Sequence, residues 1–326
     1  MMRRRDFLKK AAILSGSPWL AGGLTSLAHA AAPLTRFRLG AISDGFSQDF
    51  EEALRVMKGY GLSWVEIRKV WGIYNTEASP GQVQRLKDLL RKFDFKVSIL
   101  DTALYKCALP GTKPLVGEKD PYPYSAQMDL LKRAMERAQA LGTDKLRGFT
   151  FWRVAEPEKV SPRIAEELGK AAEVARAAGI RLLLEDEGSC NVGTGHELAR
   201  ILKMVPAPNL GANWDVGNGY WHGEVPFPDG YQALDKQRLW HLHVKGVQCE
   251  TVETARRAVS ASETCHETFA DEGQTDLVGH FRALARDGYQ GTISLECEFQ
   301  APGLTHLQTT RRSLEGLLKV MAAALK

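Results

Sequence analysis

Ala177-Ala178-Gly179-Ile180-Arg181-Leu182-Leu183-Leu184-Glu185 holds, in nine residues, the end of a helix, a glycine stop, an apolar run and a carboxylate at its tip. Glycine just past a helix adopts the left-handed cap at little cost, so the run that follows starts a new element. The same unit recurs at Lys58-Gly59-Tyr60-Gly61, Ala140-Leu141-Gly142 and Arg286-Asp287-Gly288. Extended outward, the pattern predicts strands near 38–43, 63–68, 95–100, 145–150, 180–185, 209–215, 239–245 and 291–296. Helices are expected near 49–60, 80–93, 124–141, 161–178, 195–204, 274–287 and 307–325, with a short irregular link after the sixth strand. Ser161-Pro162 reads as a cap before a first-turn proline, and Thr194-Gly195-His196-Glu197 as a capping box. Strands alternating with helices imply a parallel sheet, and eight such units imply an α/β chain folded as one closed (β/α)8 barrel. An open doubly wound sheet competes, but the first strand exits through Ala41-Ile42-Ser43-Asp44-Gly45, without the GxGxxG of a dinucleotide fold. Two connections are long, Asp101 to Tyr124 and Gly246 to Gly273, and read as lids, interface elements or plain surface loops.

The chain has 326 residues, 44% hydrophobic and 25% charged, which excludes a disordered tail or a disulfide-stapled miniprotein and suits a barrel of roughly 250 residues plus extras. Its formal charge of +4 resides in the first thirty residues: five of the 43 Lys and Arg lie there against one of the 39 Asp and Glu, leaving 38 of each sign in the remainder. A neutral body has no excess field for tracking phosphates, so nucleic acid is not an expected partner. Arg4-Arg5-Asp6-Phe7-Leu8-Lys9, a mildly apolar stretch from Ala11 to Leu27, and Ala28-His29-Ala30 follow the order of a signal peptide. This resembles a twin-arginine leader, with Arg3 where Ser or Thr is usual. The expectation is therefore a leader over 1–30 cleaved after Ala30, a barrel domain over 31–326, contact with the twin-arginine translocation machinery, and a periplasmic location. The five cysteines show no CxxC spacing, so neither a disulfide framework nor a zinc knot is encoded, and at most one or two unspecified bridges are expected.

In such a barrel the active site lies at the carboxyl ends of the strands. Strands five to eight close on Leu184-Glu185, Trp214-Asp215, His241-Leu242-His243 and Leu295-Glu296. Each carboxylate follows an apolar run, and an unpaired buried charge costs several kcal/mol, so a shared cation is expected. Three carboxylates and an imidazole suit one divalent ion, Mn2+, Co2+ or Mg2+ in preference to Zn2+.

Glu185 after its leucine run, Asp215-Val216-Gly217-Asn218, His243-Val244-Lys245, Gly273-Gln274-Thr275-Asp276 and the segment Gly288-Tyr289-Gln290-Gly291 through Glu296 resemble the sugar phosphate isomerase/epimerase group of the xylose isomerase-like TIM barrels, over residues from about 37 to the end. The resemblance implies Glu185, Asp215, His243 and Glu296 as metal ligands and Glu185 and Glu296 as an acid/base pair on opposite faces of the substrate. Asp186-Glu187 stand where the group has Asn-His, and Gly246 where it has Asp after Lys245. Lys245 shares the strand face of His243 and is a candidate catalytic donor. His241, one layer deeper, Glu66, Arg153, Trp152 and His222 are candidate substrate contacts. Trp71 and Trp221 are further rim aromatics, and Arg68 is suited to holding an anion or pairing with nearby acids.

The expected function is a metal-dependent isomerase or epimerase acting on a carbohydrate or polyol through an enediolate. A lyase or dehydratase acting on a keto-sugar or inosose by β-elimination would use the same intermediate. An endonuclease IV-like phosphodiesterase needs extra His ligands, yet strands two and three end at Glu66-Ile67-Arg68 and Leu100-Asp101-Thr102. A non-catalytic periplasmic sugar-binding barrel would be favoured by a missing glutamate, and both are present. The partner is a small carbohydrate, and self-association into a homo-oligomer stays open.

Overall fold

The computed structural model describes residues 36–115, 119–250 and 265–326; the expected leader and its cleavage point lie outside them. Eight strands, β1 (Arg38–Ala41), β2 (Trp64–Ile67), β3 (Lys96–Leu104), β4 (Lys145–Gly148), β5 (Arg181–Glu185), β6 (Leu210–Asp215), β7 (Leu239–Val244) and β8 (Thr292–Leu295), pair in the order β1-β8-β7-β6-β5-β4-β3-β2. Every pairing is parallel, and a parallel bridge between Ile42 and Glu66 brings the outer two strands together. Helices α1 (Phe50–Gly59), α2 (Pro80–Phe93), α3 (Gln127–Leu141), α4 (Pro157–Ala177), α5 (Gly195–Met204), α6 (Leu277–Arg286) and α7 (His306–Ala324) surround the sheet. No helix of the described residues is long and apolar enough to cross a membrane.

Local chemistry accounts for these elements. In α1, Phe50, Ala53, Leu54 and Met57 are buried at three- and four-residue spacing, while the Asp49 side chain accepts from the Glu51 and Glu52 N–H groups to cap the first turn. Gly142 closes α3 at φ +77°, a conformation that a Cβ would disfavour.

Helices α3 and α6 begin three residues later than expected, and the two start signals read at α4 and α5 work differently. Helix α4 begins four residues earlier than expected, because Pro157 is the proline preset for the first turn; Pro162 lies inside the helix, and Ser161 donates to the Pro157 carbonyl instead of capping. At α5, Thr194 does accept from Glu197 N–H, but the Glu197 carboxylate turns to Arg153 and Gly193 N–H rather than completing the box. The connection after β7, read as a loop, contains an antiparallel arm in which Gly246–Cys249 pairs with Cys265–Thr268 and a Cys249–Cys265 disulfide joins the two strands. Cys107, Cys190 and Cys297 are buried free thiols.

Buried amides fasten the strand ends that carry the site. Asn75 donates to the carbonyls of Ile67, Arg68 and Asp101, joining β2 to β3. Asn191 donates to Thr150, Phe151 and Trp152 carbonyls and accepts from Val154 N–H, locking the exit of β4 to the loop after β5. Replacing Asn191 by Leu would strand several of these buried backbone groups. A loss of about 2–4 kcal/mol in guanidinium unfolding is expected; an unchanged midpoint would show that these bonds are dispensable.

Candidate metal centre and active site

In a parallel barrel, register decides which inward side chains meet. Asp215 lies beside His243 and Asn213 beside His241 in the β6–β7 pairing, and Ser294 lies beside His243 in β8–β7, so Glu296 emerges one step higher. Glu185, Asp215, His243 and Glu296 are all buried, and one ligand atom of each lies within 4.8 Å of the others. His243 is the hub. Its Nδ1 stands 3.1 Å from Glu185 Oε1, 3.5 Å from Glu296 Oε2 and 4.0 Å from Asp215 Oδ2. Its Nε2 is 2.8 Å from Glu66 Oε1, and the other Glu66 oxygen is 2.9 Å from His241 Nε2.

Three cations sit among these acids. Lys245 Nζ is 2.6 Å from Glu296 Oε2 and 3.0 Å from Asp215 Oδ2. Arg147 Nη1 is 2.9 Å from Glu185 Oε2, 3.3 Å from Asp101 Oδ2 and 3.9 Å from Glu296 Oε1. Arg68 approaches Glu296 Oε1 to 3.5 Å while pairing with Asp44 and Glu298. Burial opposes charge on Glu296, but Lys245 and His243 outweigh it and hold the carboxyl well below its ordinary range. Burial likewise opposes charge on His243 and Lys245, and the surrounding carboxylates raise both well above their usual values. For Asp215 burial prevails and pushes the group up to about 7. Asp101 and Asp186 are raised well above the carboxylate range, chiefly by burial and then, for Asp186, by Asp215.

The donor set fits a hard divalent cation. Asp215 Oδ1 is fixed by the N–H groups of Gly217 and Asn218, whereas the buried Oδ2 has the Lys245 ammonium at 3.0 Å without a well-aligned hydrogen bond and faces the cluster. Glu66 orients His243 from behind, in the manner of the carboxylates that set the ring orientation of metal-ligating histidines.

The other sequence candidates are placed differently from one another. Lys245 is in the cluster. Glu66 and His241 lie beneath it, fully buried, so they support His243 instead of lining the cavity. Arg153 is held bidentate by Glu197 at 2.8 and 3.1 Å, and Trp152 donates to Asp120 at 2.7 Å. His222 Nε2 is 2.7 Å from the Gly188 carbonyl. Arg153, Trp152 and His222 do not line the cavity of ≈ 570 Å³ beside the cluster, and neither do Glu185, Asp215, His243, Lys245 and Glu296, which the cavity reaches through Arg68 and Arg147.

Sequence reasoning missed Arg147, although an arginine inside the strand run Lys145-Leu146-Arg147-Gly148 is itself a signal, since a strand interior rarely buries a guanidinium without a task. It missed Lys106, which follows the end of β3 and leaves no periodic trace. The chain leaves β3 through Tyr105 at φ +60° and β4 through Phe151 at φ +61°, left-handed conformations costing roughly 1–2 kcal/mol each. Phe151 N–H donating to the Tyr105 carbonyl at 2.9 Å and their packed rings hold these turns.

The departure at Gly246 also has a structural reason: a Cβ there would lie 2.1 Å from the Phe269 carbonyl oxygen of the arm. The arm brings its own carboxylate, Glu267, which accepts from Glu298 N–H at 3.1 and 3.2 Å and which burial pushes up to about 8.

Fold and site together define a parallel (β/α)8 barrel with a buried cluster of carboxylates around an imidazole at its mouth. The chain belongs to the xylose isomerase-like TIM barrel family, matched over residues 54–319. It is 25% identical over 284 residues to a ketose 3-epimerase of Arthrobacter globiformis, covering 78% of this chain and 89% of that one. Among solved structures it resembles the IOLI protein with a binding zinc atom (TM-score 0.66, 16% identity, 88% of this chain and 98% of that one). It also resembles D-allulose 3-epimerase from Methylomonas sp. in complex with D-allulose (TM-score 0.57, 20% identity, 89% and 95%). At these identities the two structures speak to the fold.

Removing Lys245 would leave Asp215 and Glu296 buried without their ammonium partner. Chelator-treated Lys245→Met protein is expected to be about 3–5 kcal/mol less stable than the parent in urea unfolding, and to regain part of that on adding Mn2+. A variant as stable as the parent in chelator would show that the ammonium is not what neutralises these carboxylates.

Proposed function

We propose that the chain is a divalent-metal-dependent sugar isomerase or epimerase that moves a proton on carbon next to a carbonyl. The observation supporting it most is the pair of glutamates, Glu185 and Glu296, flanking His243 with one oxygen each at 3.1 and 3.5 Å. Membership of the xylose isomerase-like family and the ketose 3-epimerase relative support the same reaction class. Glu185, Asp215, His243 and Glu296 would hold the ion, which when bound supplies Lewis-acid polarisation of the substrate carbonyl and its neighbouring hydroxyl. Mn2+, Co2+ or Mg2+ fits three carboxylates and one imidazole better than Zn2+ does.

The chain's own groups account for the proton. One glutamate removes it from the carbon α to the carbonyl, and the other returns one, inverting that carbon if it acts from the opposite face or shifting the carbonyl if it protonates the neighbouring position. Arg147, 2.9 Å from Glu185 Oε2 and 3.9 Å from Glu296 Oε1, holds the outer oxygens of both glutamates in place. Lys245 donates to the developing enediolate oxygen. The location we propose is the periplasm, reached by the twin-arginine route. Replacing Arg4-Arg5 by Lys-Lys should then retain the precursor in the cytoplasm; undiminished periplasmic protein would refute that address.

The reaction is tested in deuterium oxide with a panel of ketoses. Deuterium is expected at the carbon beside the carbonyl, with the mass otherwise conserved, and incorporation should cease after chelation. Glu185→Gln and Glu296→Gln, each checked for retained metal, should lower the rate by about 10²–10⁴. Turnover with bound metal and no deuterium on carbon would overturn the proton-transfer reading, and release of water or an aglycone would replace it by elimination.

A further inference from the structure

The cavity beside the cluster has a charged wall that proton transfer by itself does not call for. Arg68, Lys69, Lys106 and Arg147 all line it, against Asp44 and Glu298. They come from the ends of β2, β3 and β4, the half of the barrel opposite the four ligand-bearing strands β5 to β8. Lys106 and Arg147 share one support. The Lys106 Nζ lies 4.5 Å and the Arg147 Cζ 5.0 Å from the centroid of the Phe149 ring. Bringing cations together in a half-buried wall is unfavourable unless anions answer them.

Arg147 meets Asp101, Glu185 and Glu296, and Arg68 meets Asp44, Glu296 and Glu298, so the least answered cations of the wall are Lys106 and Lys69. Lys106 has a single carboxylate, Glu187, at 3.0 Å, and Lys69 sits over the Tyr74 ring with no ion pair among the described residues. The partners of Arg147 and Arg68 include Glu185 and Glu296, whose oxygens the proposed chemistry also needs. A neutral ketose offers hydroxyls and a carbonyl, for which amides, hydroxyls and aromatic faces suffice. A planar guanidinium and an ammonium side by side match a carboxylate or a phosphate. The volume, ≈ 570 Å³, accommodates a sugar of about six carbons with such a group.

We propose that the substrate is an anionic carbohydrate, its carboxylate or phosphate seated on Arg147 and Lys106 beside Phe149, and that neutral ketoses are poor substrates. This rests on the proton-transfer reading, so the test separates the two. First, chelator-treated protein is titrated calorimetrically with D-gluconate and with D-glucitol, which differ in a terminal carboxylate against a hydroxymethyl group. Gluconate should bind at least tenfold more tightly, and Lys106→Met should remove most of that preference while Lys106→Arg restores it. Second, deuterium exchange on metal-loaded protein compares D-fructose, D-fructuronate and D-fructose 6-phosphate. At least one of the two anions should exchange with kcat/KM tenfold or more above D-fructose, and the better one identifies the anionic group. Equal binding of gluconate and glucitol in the unaltered protein would overturn the anion proposal, as would D-fructose exchanging as well as both anions. Exchange of none of the three sugars, with gluconate still preferred, would count against the proton-transfer reading and leave the anionic wall standing.

Discussion

Seven carboxyl groups, Asp44, Glu66, Asp101, Glu185, Asp186, Asp215 and Glu296, are buried at one end of the barrel, and the structure there is organised by how their charge is answered. An ionised carboxylate taken out of water costs several kcal/mol unless a proton or a cation meets it. Both solutions are used. Asp101 and Asp186 are driven toward the neutral acid, mainly by burial, whereas Glu66 and Glu296 stay ionised against His243, His241 and Lys245. Arg147 spans Asp101, Glu185 and Glu296, so one guanidinium ties β3, β5 and the end of β8 together. The divalent ion we propose among Glu185, Asp215, His243 and Glu296 would continue the same logic with a stronger charge.

Two geometric facts put the acids there. Inward-facing residues alternate along each strand, so 241, 243 and 245 on β7 and its extension face one way, as do 213 and 215 on β6. The parallel register then stacks Asp215 against His243, and the first of these residues to reach the open mouth are those at the strand ends. Close approach of the arm at Gly246 explains why the residue after Lys245 carries no side chain: the carboxylate near that position comes from Glu267, across the arm pairing.

Charges of both signs share the mouth unevenly, with Asp44 and Glu298 among the basic groups of the cavity and Lys245 among the acids. Acids on β5, β6 and β8 gather around His243, while basic side chains at the ends of β2, β3 and β4 face the cavity. On the proposed reading, a substrate lying between the halves would present its carbonyl to one and its anionic end to the other. Such an arrangement orients a substrate by long-range charge before any short contact forms.

The eight strands and seven main helices were legible because glycine stops and apolar periodicity are local, and local signals survive without knowledge of partners. Glu185, Asp215, His243 and Glu296 were legible for the same reason: each ends an apolar run, so position along its own strand already placed it at the mouth. What no local pattern contained was which charges meet. Arg147 reaches Glu185 across 38 positions and His243 reaches Glu66 across 177, and those distances are set by barrel closure and register. For Glu66 and His241 the sequence determined that polar groups occupy strand interiors; only the packed barrel decided that they support the imidazole from below. Lys106 and Arg153 show the converse, each a cation past a strand end, indistinguishable in sequence. Tertiary contacts turned one to the cavity wall over Phe149 and fastened the other to Glu197, because a long flexible side chain goes where a buried partner is within reach.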